Sequence, residues 1–262
     1  MTSGAGSLET ALRAARGAGR KLLVPYVTGG MADDWIQAVE AVAAAGADAV
    51  EIGIPFSDPV MDGPTIQEAS ARALARGTTP ERIFGELARL DAGVPLIAMT
   101  YYNLVFHAGH RRFAESLASA GVSAAVVPDL PLEESVAWEA AASAAGIETV
   151  LLAAPVSPDE RLARIVERSR GFVYAVGLMG VTGERATVAP SAAILAARIR
   201  AVSDMPVLIG FGISTPDQAR DASAAADGVV VASALMRRYL DGASPEEIGK
   251  QVAEMRRALD AG

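Results

Sequence analysis

Short runs of apolar, often β-branched residues alternate with longer amphipathic stretches rich in Ala, Glu and Arg along the whole chain. Eight such runs, at 22–27, 49–54, 95–101, 124–128, 148–153, 172–176, 207–211 and 228–231, are apolar on both faces, as parallel strands are when helices cover them. Between them the 3.6-residue period predicts helices at 35–45, 66–75, 81–90, 113–120, 133–145, 159–168, 191–202 and 216–225, with a last one at 245–259. Ser157-Pro158-Asp159-Glu160 and Ser244-Pro245-Glu246-Glu247 carry helix-start chemistry, a capping Ser followed by Pro and first-turn acids. Gly46, Gly121, Gly146 and Gly171 stand where a helix ends and the next strand begins. Eight β-then-α units predict an α/β fold: a single (β/α)8 TIM barrel domain over residues 1–262, with a doubly wound open sheet as its structural rival. An extra N-terminal helix at 8–19 would cover the bottom of the barrel.

Composition narrows the partners. Of the 262 residues, 51% are hydrophobic, enough for a large core, and the formal charge of −8 disfavours nucleic acid and anionic membrane surfaces, so neither is expected as a partner. There is no Cys, which removes disulfides and thiolate chemistry. The first residues have no apolar segment of signal-peptide type and no run approaches a membrane span, so a cytoplasmic protein is expected.

The chemistry concentrates in Glu51-Ile52-Gly53-Ile54-Pro55-Phe56-Ser57-Asp58-Pro59-Val60-Met61-Asp62-Gly63-Pro64. Glu51 interrupts an apolar strand, facing either the barrel interior or the helix layer. A charge there costs several kcal/mol, of the order expected for a buried ion, unless something uses it. The other strand runs hold no Arg or Lys to pair with it. Desolvation should raise its pKa and let it hold and pass a proton near neutral pH. Asp62 lies in the loop before the next helix; alone, an Asp before Gly-Pro reads as a cap or turn residue. Asp58 before Pro59 has that same reading and keeps it. With His107 and His110 the only histidines and no clustered oxygen ligands, no metal is expected.

Phe56-Ser57-Asp58-Pro59 followed by Asp62-Gly63-Pro64-Thr65-Ile66-Gln67 closely resembles the signature of the tryptophan synthase alpha subunit family. The likeness continues through Tyr101-Tyr102-Asn103-Leu104-Val105-Phe106, Val127-Pro128-Asp129-Leu130-Pro131, Gly180-Val181-Thr182-Gly183 and Gly210-Phe211-Gly212-Ile213-Ser214, in the family's order and spacing. The resemblance implies a lyase: retro-aldol cleavage of indole-3-glycerol phosphate to indole and glyceraldehyde 3-phosphate, without a cofactor of its own. By the same resemblance Glu51 is the general acid–base, Asp62 holds the indole N–H and stabilises charge developing on nitrogen, and Tyr174 stands close to the reacting centre. The implied partner is a beta subunit carrying pyridoxal phosphate, in an alpha2-beta2 heterotetramer. The same lyase acting alone and a catalytically silent barrel that activates a partner are the alternatives; retention of both carboxylates speaks against the second.

A sugar-phosphate substrate needs an anion site, which barrels often build after strands seven and eight from backbone N–H groups. Three Gly-rich or small-residue segments stand at the expected strand ends, around Gly180–183, Gly210–212 and Ala232-Ser233. By resemblance Gly183, Gly212 and Ser233 contact phosphate, while Phe211, Tyr101 and Ile66 line the apolar slot for the ring. Two departures from the family pattern stand out: Gly177-Leu178-Met179 replaces a more polar segment, and Ala232 replaces the usual Gly. The first bears on how the loop closes and on activation by a partner, and the second adds a methyl where the backbone approaches phosphate.

Overall fold

The computed structural model describes residues 6–176, 190–210 and 212–262. Eight parallel strands close into a barrel in sequential order: β1 (Leu22–Thr28), β2 (Val50–Gly53), β3 (Leu96–Met99), β4 (Val122–Val126), β5 (Glu148–Ala153), β6 (Val173–Ala175), β7 (Val207–Ile209) and β8 (Gly228–Val231). The open-sheet rival is excluded by the β1–β8 pairing, in which Leu22 to Pro25 stand opposite Gly228 to Val231. Among the described residues twelve helices accompany the strands: α1 (Ser7–Gly17), α2 (Trp35–Ala44), α3 (Pro64–Ala75), α4 (Pro80–Leu87), α5 (Tyr102–Ala108), α6 (His110–Ser119), α7 (Val136–Ala144), α8 (Asp159–Arg168), α9 (Pro190–Val202), α10 (Pro216–Ala225), α11 (Ser233–Leu240) and α12 (Pro245–Asp260).

Helix starts follow local chemistry where the side chain can reach. Thr215 with Gln218 and Ser244 with Glu247 form reciprocal capping boxes at α10 and α12. At α8 the expected Ser157 cap is not used. Pro158 itself is the N-cap residue, with no side-chain cap, and Asp159 and Glu160 in the first turn complement the helix dipole. The 3.6-residue period did not single out α5 or α11. The first N–H of α5, on Tyr102, donates to the Asp129 carboxylate at 2.9 Å, a cap supplied from the loop after β4.

Two apolar layers hold the barrel. The larger lies between strands and helices. The inner one takes alternate residues of successive strands, Leu22 and Val24, Ala49, Ile97, Ala124 and Val126, Val150, Phe172 and Tyr174, Leu208 and Val230. Leu8 and Leu12 of α1 belong to this inner cluster, so the N-terminal helix plugs the barrel, as expected. Its leading N–H groups, on Leu8 and Glu9, donate to the buried Glu148 carboxylate at 2.7 and 3.0 Å, tying the plug to the start of β5. Among the described residues no helix is long and apolar enough to cross a membrane.

Candidate active site

The alternation that sends Ala49 inward sends Glu51 inward as well, two residues further toward the C-terminal end of β2. It also orders the neighbours: Tyr26 pairs in register with Glu51, and Glu51 with Ile97. At the C-terminal mouth these inward positions line a cavity that is partly open to solvent. It is lined by the carboxylates Glu51 and Asp62, by Tyr26, Tyr174, Ile66 and Met99, and by the segment ends at Gly210, Gly212, Ile213, Ser214, Val230, Ala232 and Ser233. Two glycines make the room. A Cβ on Gly53 would fall 1.7 Å from the Tyr26 hydroxyl, and one on Gly210 would fall 2.2 Å from that of Tyr174. Larger residues at either position would displace a tyrosine from the wall.

Glu51 is 3% exposed, and its Oε2 has no hydrogen-bond partner among the described residues. Burial, reinforced by the nearby Asp62 charge, pushes its carboxyl up to about 8. Asp62 is also buried, yet its pKa rises only to about 6, because burial is opposed by a hydrogen bond donated by Tyr101. The Asp62 side chain is not a helix cap: Gly63 occupies the N-cap position of α3, and the Asp62 carboxylate faces the cavity. Gln67 secures the backbone instead, its Nε2 donating to the Asp62 carbonyl at 2.8 Å. Asp58 is exposed and accepts the Ser57 hydroxyl at 2.5 Å, a turn contact away from the cavity. Tyr101 stands behind Asp62 rather than among the residues lining the cavity, its hydroxyl accepting the Met61 N–H at 3.0 Å.

The glycine- and serine-bearing part of the lining has the makings of an anion cradle; no Lys or Arg is among the described residues lining the cavity. Gly212 has φ +77°, in the left-handed region that glycine enters without strain. Ser233 opens α11, which has no side-chain cap, so the helix presents its first N–H groups beside Ala232. The buried Ser214 hydroxyl has no partner among the described residues and lines the cavity.

A family model for the tryptophan synthase alpha chain matches residues 12–261. The chain belongs to the tryptophan synthase alpha chain family. The alpha chain of Gloeobacter violaceus is 48% identical over 241 residues, 90% of this chain and 87% of that one. That of Thermobifida fusca is 44% identical over 261 residues, 97% of each. A solved tryptophan synthase structure from Mycobacterium tuberculosis superposes with a TM-score of 0.91 at 37% identity, covering 98% of this chain and 100% of the other.

Within this alpha-chain barrel, Glu51, Asp62, Tyr174, Ile66, Gly212 and Ser233 are brought to one cavity, and Tyr101 supports it from behind. Gly183, Phe211 and the 177–179 segment lie outside the described residues. Sequence reasoning did not single out Tyr26, Met99 or Ser214. Tyr26 had a signal, since strand alternation and pairing place it beside Glu51. Ser214 had none beyond its place at the end of a Gly-rich segment. Among the described residues no group of three or more His, Asp or Glu side chains is placed to hold a metal.

Proposed function

We propose that this barrel cleaves indole-3-glycerol phosphate to indole and glyceraldehyde 3-phosphate. The observation that carries the reading is a pair of buried carboxylates with separated pKa values in one cavity, whose lining also includes Gly212, Ser214 and Ser233. At neutral pH Glu51 holds its proton while Asp62 is mostly ionised, one acid and one anion from two similar side chains. Glu51 donates its proton to C3 of the indole, leaving positive charge on the ring nitrogen. Asp62 accepts the indole N–H and stabilises that charge. The glycerol hydroxyl next to the ring then returns its proton to the Glu51 carboxylate as the C–C bond breaks. The bond's electrons flow back to the ring, releasing neutral indole and an aldehyde. One proton is delivered and one recovered, so Glu51 ends as it began.

Tyr174, against Gly210 and within electrostatic reach of Glu51, places a phenol beside the reacting atoms. Gly212, Ser233 and the Ser214 hydroxyl hold the phosphate, and Ile66 and Met99 pack the ring. Members of this family work with a beta subunit, and we assign this chain the same partnership in an alpha2-beta2 assembly. Val60, in the loop before Asp62, and Phe106, on α5 after β3, are large apolar side chains 68% and 65% exposed on the mouth side of the barrel, and a partner would cover them.

The test is a steady-state assay of the purified chain on indole-3-glycerol phosphate, with and without a titrated beta subunit. Indole release accelerated by the beta subunit is expected. Fast release with no acceleration would leave a lyase that acts alone, and no release under either condition would overturn the reaction.

A further inference from the structure

We propose that Tyr26 is a specificity-determining residue: its phenol hydroxyl binds the middle hydroxyl of the substrate's glycerol chain, the one that takes no part in the bond cleavage. The assignment rests on the proposed cleavage and adds to it the recognition of the chain. In that reaction Asp62 holds the indole N–H, Glu51 serves the hydroxyl next to the ring, and Gly212, Ser214 and Ser233 hold the phosphate. The middle hydroxyl is left without a partner, and a polar group buried unpaired weakens binding. Among the described residues lining the cavity the polar side chains are Tyr26, Glu51, Asp62, Tyr174, Ser214 and Ser233, and of these Tyr26 alone has no task.

The place of the phenol fits that task. Along the β1–β2 pairing Tyr26 stands opposite Glu51, and Thr28 opposite Gly53. The Tyr26 side chain starts at the first level and ends at the second. A Cβ on Gly53 would fall 1.7 Å from its hydroxyl oxygen, and the Thr28 hydroxyl donates to that oxygen at 3.5 Å, a long bond. The ring therefore lies along the inner face of the sheet. Its hydroxyl stands one strand period, about 7 Å, nearer the mouth than the backbone of Glu51. A substrate with its first hydroxyl at Glu51 and its phosphate at the strand ends carries its middle carbon at that level. With Thr28 as donor, the phenol's own hydrogen points away from Thr28, and it has no acceptor among the described residues. Burial first, and the Asp62 charge after it, keep that hydrogen on the oxygen well past neutral pH, so the group remains a donor.

The experiment compares kcat/KM of the wild type and of Tyr26→Phe, which keeps the ring against Gly53 and removes only the hydroxyl. Both are measured under whichever condition of the assay above is faster, on two compounds. One is indole-3-glycerol phosphate. The other is its analogue with hydrogen in place of the middle hydroxyl, which the same retro-aldol step splits into indole and 3-oxopropyl phosphate. The wild type should prefer the natural chain by about five- to tenfold, the reach of one neutral hydrogen bond. In Tyr26→Phe that preference should fall below about twofold. A loss shared equally by both compounds, with the preference kept, would reduce Tyr26 to packing and overturn the proposal. A wild type without the preference would overturn it too, since the middle hydroxyl would then have no partner in the site. Thr28→Val, which keeps the phenol, should retain most of the preference; its loss there and not in Tyr26→Phe would move the contact to Thr28 and overturn the proposal as well. If the wild type splits neither compound, the cleavage falls and this assignment with it, an outcome distinct from a wild type that cleaves with a preference indifferent to Tyr26.

Discussion

Glu51→Gln should abolish cleavage and stabilise the fold, and the stabilisation should grow with pH. The side chain is 3% exposed, and its pKa is raised from 4.5 to about 8, by burial first and the Asp62 charge second. An acid whose folded pKa lies above its unfolded one keeps its proton in the folded state while the unfolded chain releases it. Between pH 4.5 and about 8 the wild type therefore loses stability as pH rises. Linkage over this interval costs under about 1 kcal/mol at pH 5, about 3 at pH 7 and about 4 at pH 8. Glutamine does not titrate, so the variant escapes this slope. Any fixed penalty for burying the amide shifts its whole curve without changing the pH trend.

The measurement is thermal or urea unfolding of both proteins from pH 5 to pH 8. The stability difference should increase in favour of Glu51→Gln by about 3 kcal/mol across that range. For chains near this length that is roughly 5–10 °C in melting temperature. In parallel, kcat should fall by ~10²–10⁴, the usual weight of a positioned proton donor. Parallel stability curves would refute the reasoning, because they would mean that Glu51 is solvated enough to ionise normally in the folded protein. A near-normal kcat would remove it from proton transfer.

Asp62→Asn should lower single-turnover cleavage by about 10²-fold or more, because it removes charge from the transition state, while calorimetry shows substrate binding changed only a few-fold. Lost binding with normal single-turnover cleavage would instead make Asp62 a ground-state anchor. Gly212→Asp adds a carboxylate and a side chain at φ +77°, so KM and the inhibition constant of glycerol phosphate should both rise at least about tenfold; unchanged values would move the phosphate site elsewhere.

The architecture was legible because the barrel's demands are local. β5 and β8 have the bounds their apolar runs predict, and α8 and α10 those of their amphipathic period. α5 was not legible: Tyr102-Asn103-Leu104-Val105-Phe106 has weak helix preference, and its cap, Asp129, arrives from 27 positions along the chain. Glu51 stood out as a charge in an apolar strand, and its inward direction follows from the two-residue period once Ala49 is known to face in. Tyr101 was expected in the wall of the ring slot, but its hydroxyl lies behind Asp62, a placement set by the path of the 55–63 backbone rather than by the tyrosine's own neighbours in sequence. Ser214 was invisible for a related reason. An unpartnered buried hydroxyl is a property of what surrounds it.

The same dependence on surroundings separates the two carboxylates into roles. Both are desolvated, and desolvation alone would raise both toward neutrality and leave neither a dependable anion. Tyr101 favours the charged form of Asp62, whereas Oε2 of Glu51 is unpartnered among the described residues, so Asp62 ionises first. Once it has, its charge helps to hold the proton on Glu51, which widens the gap it depends on. The pair thus titrates in two steps, near 6 and near 8, and between them bears a single proton. That singly protonated state is the one retro-aldol cleavage requires, with an acid aimed at carbon and an anion at nitrogen. A neutral phenol favours one carboxylate without disarming the other.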